Sequence, residues 1–203
     1  MELRLSSNQL DAVKEVCTIG SASAATALSD LLAARVDINV PEVNIVPLES
    51  IYTLLGRPDV LFFVLDTELK GDLSGRIFLL FSPDDARFLA SGLLGKNKDE
   101  IDFNDPMFQS VLKESTNILS ASYITVLAEM TNLSIITSVP SLAIDMVGAI
   151  LDFIFIQIAQ FSERALFIKT ELKVKGLNLE ALFLFFPSDE SLTKIFEILA
   201  VKE

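Results

Sequence analysis

The chain is 203 residues long, 51% hydrophobic, carries a formal net charge of −12 and contains no histidine. A mean hydropathy of +0.49 excludes a disordered chain, which lacks the apolar surface to offset ordering entropy; the length suits one large domain or two fused halves. The missing histidines exclude Ser-His-Asp and Cys-His nucleophiles and any imidazole proton shuttle, and the single cysteine cannot build a zinc site without them.

Two further whole-chain signals narrow the setting. With 28 acidic against 16 basic residues, no nucleic-acid partner is expected. Cys17 has no intrachain disulfide partner, and Met1 to Arg4 begin no signal-peptide pattern, so the expected location is a reducing cytoplasm.

In chain order, residues 8–33 show helical periodicity. Segments 59–69 and 73–82 are rich in Phe, Ile, Val and Leu and read as paired strands, with Gly71 and Gly75 in the turn. Ser82-Pro83-Asp84-Asp85 has the marks of a helix start: a capping serine, a first-turn proline, and acids near the positive end. The charged run Lys96 to Asp102 opens a connector spanning 96–104. Residues 105–131 are helical again.

The apolar stretch Leu142 to Phe161 contains Asp145, Asp152, Gln157 and Gln160. An Asp at mid-bilayer costs about 3 kcal/mol, so the stretch reads as two buried elements in succession and not as a membrane span. These are a short helix around Asp145 to Ile150 and a strand over 151–160. Segments 164–174 and 178–186 are further strands, and Ser188-Asp189-Glu190 opens the last helix.

The sequence repeats itself. A step of 99 residues carries Glu15 onto Glu114, Ser21-Ala22 onto Ser120-Ala121, and Val40-Pro41 onto Val139-Pro140. Farther on, Thr67-Glu68-Leu69-Lys70 returns as Thr170-Glu171-Leu172-Lys173. Residues 1–97 and 105–203 are therefore two copies of one plan: helix, strand, short helix, two strands, helix. Each copy is too small to cover its own sheet. The expectation is one α+β domain, with two pseudo-symmetric repeats sharing one continuous, mainly antiparallel sheet under long helices. The duplication makes a monomer the expected state.

On a helical wheel at about 100° per residue, Phe108, Leu112, Leu119, Tyr123 and Val126 share one side of the second long helix. Ser110, Glu114 and Asn117 form a polar stripe on the other. A carboxylate and an amide one turn apart can reach together into another protein. The stripe recurs with its downstream proline: Ser110, Glu114, Asn117 and Pro140 in the second copy answer Asp11, Glu15, Thr18 and Pro41 in the first. A merely solvated face has no reason to recur in this way.

This doubled spacing, Asp/Ser-x3-Glu-x2-Asn-x22-Pro, resembles the CheC phosphatases of chemotaxis, in the wider group that includes CheX and FliY. Glu114 to Leu119, Val40-Pro41 and Ile144-Asp145-Met146 carry the likeness further. The resemblance implies removal of the phosphoryl group from the aspartate of the response regulator CheY. It implies that Asn117 orients the attacking water and that Glu114 pairs with the regulator's lysine. It also implies that Mg²⁺ sits on the regulator, and that the chain holds no metal or cofactor of its own. Ser110 and Pro140, with Asp11 and Pro41, would be framework. Thr18 stands where the family has Asn, so Glu15/Thr18 is expected to be a weakened second site.

Asp145 falls in the region by which the family contacts CheD, a deamidase of receptors. A CheD or CheY adaptor with little catalysis is the alternative reading. Ser191 and Lys194 fit an S-x-x-K pattern without its companion motifs, Asn132 heads a glycosylation sequon without meaning in the cytoplasm, and Cys17 reads as a small core residue.

Overall fold

Two 26-residue helices lie over one antiparallel sheet in the computed structural model, which describes residues 7–55, 58–158, 164–174 and 177–200. The first half runs α1 (Ser7–Leu32), β1 (Val36–Pro47), α2 (Leu48–Leu55), β2 (Leu61–Gly71), β3 (Gly75–Phe81) and α3 (Pro83–Leu94). The second runs α4 (Pro106–Thr131), β4 (Ile135–Thr137), β5 (Ser141–Met146), α5 (Val147–Ile158), β6 (Arg164–Val174), β7 (Leu177–Pro187) and α6 (Asp189–Ala200). A 3₁₀ turn at Lys98–Glu100 lies between the halves.

The strand order is β1-β6-β7-β3-β2-β4, with β5 also on β2. Hairpins β2–β3 and β6–β7 meet at the centre through antiparallel β3 and β7. The first strand of each half crosses to the other half's hairpin: β1 pairs with β6, and β4 and β5 pair with β2. The fold is α+β, and the sheet is shared as expected.

Proline sets a matching irregularity in both crossing strands. The β1–β6 register slips between Asn39 and Glu42, at Pro41. In the second half the strand breaks between Thr137 and Ser141, at Pro140. Proline has no N–H for a ladder, so each sits at an edge-strand interruption. Ser138 stitches the gap: its N–H donates to Glu68 O (2.9 Å), and its hydroxyl accepts from Glu68 N–H (2.9 Å).

Both faces of the central strands are buried. Phe63, Leu65, Ile77, Leu79 and Phe81 point to the α1/α4 side, while Val64, Phe78, Leu80, Leu184 and Phe186 point to the side of α2 and α5. The 151–160 strand expected from sequence is corrected: Leu151 to Ile158 belong to helix α5, and residues 159 and 160 lie outside the described residues. The run is rich in Ile and Phe, so composition favours a strand. Its burial follows a helical period instead, with Ile150, Leu151, Ile154 and Ile158 covered and Asp152 and Ile156 exposed. The short helix expected at Asp145 begins at Val147, because Asp145 and Met146 pair with Phe62 and Leu61 in β5. That strand is largely exposed and is not the buried element expected.

The two long helices touch at Gly20. A Cβ there would lie 2.5 Å from Cδ1 and 3.1 Å from Cα of Tyr123. Tyr123 is wedged from below by Phe183, with ring centroids 5.0 Å apart. Beside it, between α1, α4, α6 and the sheet, a 40 Å³ cavity is lined by apolar side chains that include Cys17, Phe183 and Phe196. Burial pushes the Cys17 thiol and the Tyr123 phenol up to about 12.

In an open helix Gly→Ala stabilises by about 1 kcal/mol. Gly20→Ala is expected to destabilise this protein instead, by about 1–3 kcal/mol, read by urea unfolding. Folded Cys17 and Tyr123 keep protons that the unfolded chain releases from about pH 9 upward, the ordinary thiol range, so stability is whole below that pH and falls as pH rises toward 12. The check is an alkaline unfolding titration, with Cys17 inert to a thiol reagent at pH 8 until the chain is denatured.

Candidate functional site

The phase of α4 is fixed at its start. Asp105 caps the helix, its carboxylate accepting from Met107 N–H at 2.8 Å, and Pro106 fills the first turn. Phe108 then enters the core against Phe63 and Phe103, with centroids 5.3 and 5.1 Å apart. Leu112, Ser115, Thr116, Leu119 and Tyr123 follow on the buried side. The helix ends at Asn132, whose φ of 57° is the left-handed cap conformation.

With that side committed, Ser110, Glu114 and Asn117 face solvent. Among the described residues, no hydrogen bond or ion pair engages the side chain of Glu114 or Asn117. An amide offers two donors and an acceptor, and a carboxylate offers acceptors only. Together they can hold a water and pair with a cation brought from outside. Among the described residues, no group of three or more His, Cys, Asp or Glu could hold a metal ion.

The same stripe on α1 is also exposed at Asp11, Glu15 and Thr18, but it is partly occupied. The Thr18 hydroxyl donates to Lys14 O at 2.8 Å, and the Asp11 carboxylate lies 3.7 Å from the Lys14 ammonium. The one proton of the Thr18 hydroxyl is therefore committed to its own helix. Where an amide would offer donors, α1 presents only the acceptor side of a hydroxyl.

The prolines lie off the helical stripes. Pro140 is buried between β4 and β5, and Pro41 lies in β1. Asp145 is exposed near the end of β5, where its carboxylate accepts from Met146 N–H at 2.8 Å. The S-x-x-K pair is structural: Ser191 is buried and accepts from Ser74 N–H (2.9 Å), and the Lys194 ammonium donates to Asp72 O (3.1 Å).

Two features of the site escaped the sequence reading. Met107, 56% exposed, lies two turns before Glu114 on the same side of α4. Its seven-residue spacing was the available signal. Gly20 and Tyr123 join the two stripe-bearing helices, and a glycine inside a long helical pattern was the cue.

The sequence profile of the CheC-like family matches the chain twice, at residues 9–45 and 107–144. Each match contains one complete stripe and its proline. The chain is 30% identical over 192 residues to the CheY-P phosphatase CheC of Bacillus subtilis, covering 93% of this chain and 92% of that protein. The chain belongs to the CheC-like family. It is also 36% identical over 91 residues to the B. subtilis flagellar motor switch phosphatase FliY, covering 45% of this chain and 23% of that protein. In fold it resembles Thermotoga maritima FliY, with a TM-score of 0.79 and 21% identity over 99% of this chain and 100% of that one. No described helix is long and apolar enough to cross a membrane.

Because Glu114 and Asn117 support nothing within the fold, Glu114→Ala and Asn117→Ala are each expected to change unfolding stability by no more than about 0.5 kcal/mol. Thermal unfolding of both variants checks this.

Proposed function

We propose that the chain removes the phosphoryl group from the aspartyl phosphate of a CheY-type response regulator in the cytoplasm. The observation that carries this reading is the exposed and unengaged Glu114/Asn117 pair on α4. The B. subtilis relative that matches over nearly the whole chain is named a CheY-P phosphatase.

An aspartyl phosphate is already a high-energy bond, and its receiver domain brings the Mg²⁺ and a lysine. Phosphoryl transfer depends mainly on positioning and on charge stabilisation. Glu114 pairs with the receiver's lysine and fixes the docking. Asn117 then projects beside the phosphorus and holds a water in line with the bond to be broken. The water attacks phosphorus, the carboxylate oxygen of the aspartate leaves, and inorganic phosphate departs. No histidine is needed, because the chain supplies neither nucleophile nor strong base.

Asn117→Ala is expected to lower phosphate release from phosphorylated CheY with Mg²⁺ by on the order of 100-fold, while Thr18→Ala changes it little. An unaltered rate in Asn117→Ala would contradict the mechanism.

A second reading, an adaptor that binds CheD, draws support from a different place. Asp145, opposite Phe62 on β2, lies on the sheet face that α5 covers, and α5 exposes Phe153 and Ile156. Small apolar patches of this kind, with a charge among them, suit a partner surface. On this reading Asp145→Lys abolishes capture of CheD in a pull-down, and undiminished capture removes Asp145 from the contact.

A further inference from the structure

Resting on the reading that the α4 stripe docks a receiver domain, we infer that the receiver also seats on an apolar shelf beside that stripe. Met107 of α4, Ile144 and Met146 of β5 and Leu61 of β2 make the shelf. The stripe carries the chemistry, and the shelf carries most of the affinity.

Strand register builds the floor of the shelf. Alternate residues of a strand share one face, and their cross-strand partners share it with them. On β5, Leu142, Ile144 and Met146 pair with Leu65, Phe63 and Leu61 of β2, while Asp145 pairs with Phe62. Phe63 and Leu65 belong to the core beneath α1 and α4, and Phe63 packs on Phe108 of α4 with ring centroids 5.3 Å apart. Leu142, Ile144 and Met146 therefore lie on the α4 side of the sheet. Leu142 packs against that core. Ile144, Met146 and Leu61 do not bury there and are 40%, 54% and 39% exposed.

The rotation of α4 turns its stripe toward this floor. At about 100° per residue Tyr123 stands opposite Glu114, and Tyr123 is the residue that meets α1 at Gly20. Beside it, Ile124 and Leu127 line the cavity shared with α1 and α6. The opposite flank holds Met107, Val111 and Ile118, within about 60° of Glu114, and looks out over the sheet edge that β5 forms. Met107 precedes Phe108, the residue seated on Phe63, so its 56% exposed side chain stands over the same end of β2 as Ile144.

Continuity and charge name the occupant. Met107 lies only about 15 Å along the helix from Asn117. A compact domain of about 100 residues has a radius of gyration near 13 Å, so a receiver that admits Asn117 also covers the shelf. Charge supplies little of the attraction, because the chain carries −12 and a phosphoryl group is anionic. One exposed ion pair, Glu114 with a lysine, adds little more. Apolar area beside the stripe meets that need, and two of its four side chains are methionines, which adapt their shape to a partner.

Ile144→Ser combined with Met146→Ser is expected to raise KM for phosphorylated CheY by about tenfold, with kcat within about twofold. Calorimetric Kd for CheY activated by beryllofluoride and Mg²⁺ is expected to rise by about the same factor. Met107→Ser, on a different element, should shift both constants the same way by about threefold, so the test does not hang on the folding of the β5 variant. Ile136→Ser is the control. Ile136 is 63% exposed but pairs with Lys70, next to buried Leu69, and so faces away from α4; its loss leaves KM and Kd as they are. Unchanged KM and Kd in both shelf variants would overturn the inference while sparing the α4 site. Self-association of the wild type, lost in those variants, would then give the shelf to a second copy of the chain. A wild type that neither binds activated CheY nor releases phosphate would overturn the receiver reading itself.

Discussion

The close approach of Gly20 to Tyr123 is the contact on which the rest of the architecture depends. It brings the backbones of α1 and α4 together without an intervening side chain, so the two long helices meet as one layer over the sheet. Once that contact and the Phe108 and Phe183 packing below it are made, the rotation of each helix is fixed. What remains outside is not chosen separately. Ser110, Glu114 and Asn117 are exposed because Phe108, Leu112, Leu119 and Tyr123 are not. The site is the complement of the core.

A site built this way is rigid and small, and that suits the proposed chemistry. Its two groups sit one turn apart on a capped helix of 26 residues, so their spacing is set by backbone geometry and not by a loop. Groups that act by placement need such stiffness more than they need perturbed protonation. The buried groups with raised pKa values, Cys17 and Tyr123, lie in the core beneath the stripes and stay neutral there. They serve packing.

Much of the fold was legible because the chain states it twice. Helices expected at 8–33 and 105–131 appear at Ser7–Leu32 and Pro106–Thr131, since a 3.6-residue period sustained over seven turns is hard to mistake. The stripe was legible for the same reason, and the structure leaves both of its copies exposed. Short apolar runs were harder. Leu151 to Ile158 has strand composition, and only its packing against the sheet reveals the helix. Some of the duplication is hidden from identity matching altogether. The ion pair Asp66–Arg76 in the first hairpin returns in the second as Lys169–Glu180, at 3.0 Å, with the charges exchanged. The geometry is kept while every residue differs. Side-chain bonding was likewise beyond the sequence: Thr18 was readable as a departure from Asn, but its commitment to Lys14 O was not.

In the proposed function, one amide, presented from a helix beside a glutamate, sets the α4 stripe apart from the α1 stripe. Moving that amide is the decisive measurement. Phosphate release from phosphorylated CheY is to be compared for Asn117→Thr alone and for Asn117→Thr combined with Thr18→Asn. The single variant is expected to lose activity and the double variant to recover it from α1. Full activity in the single variant, or a double variant as inactive as the single one, is the opposite result and removes the amide from the mechanism.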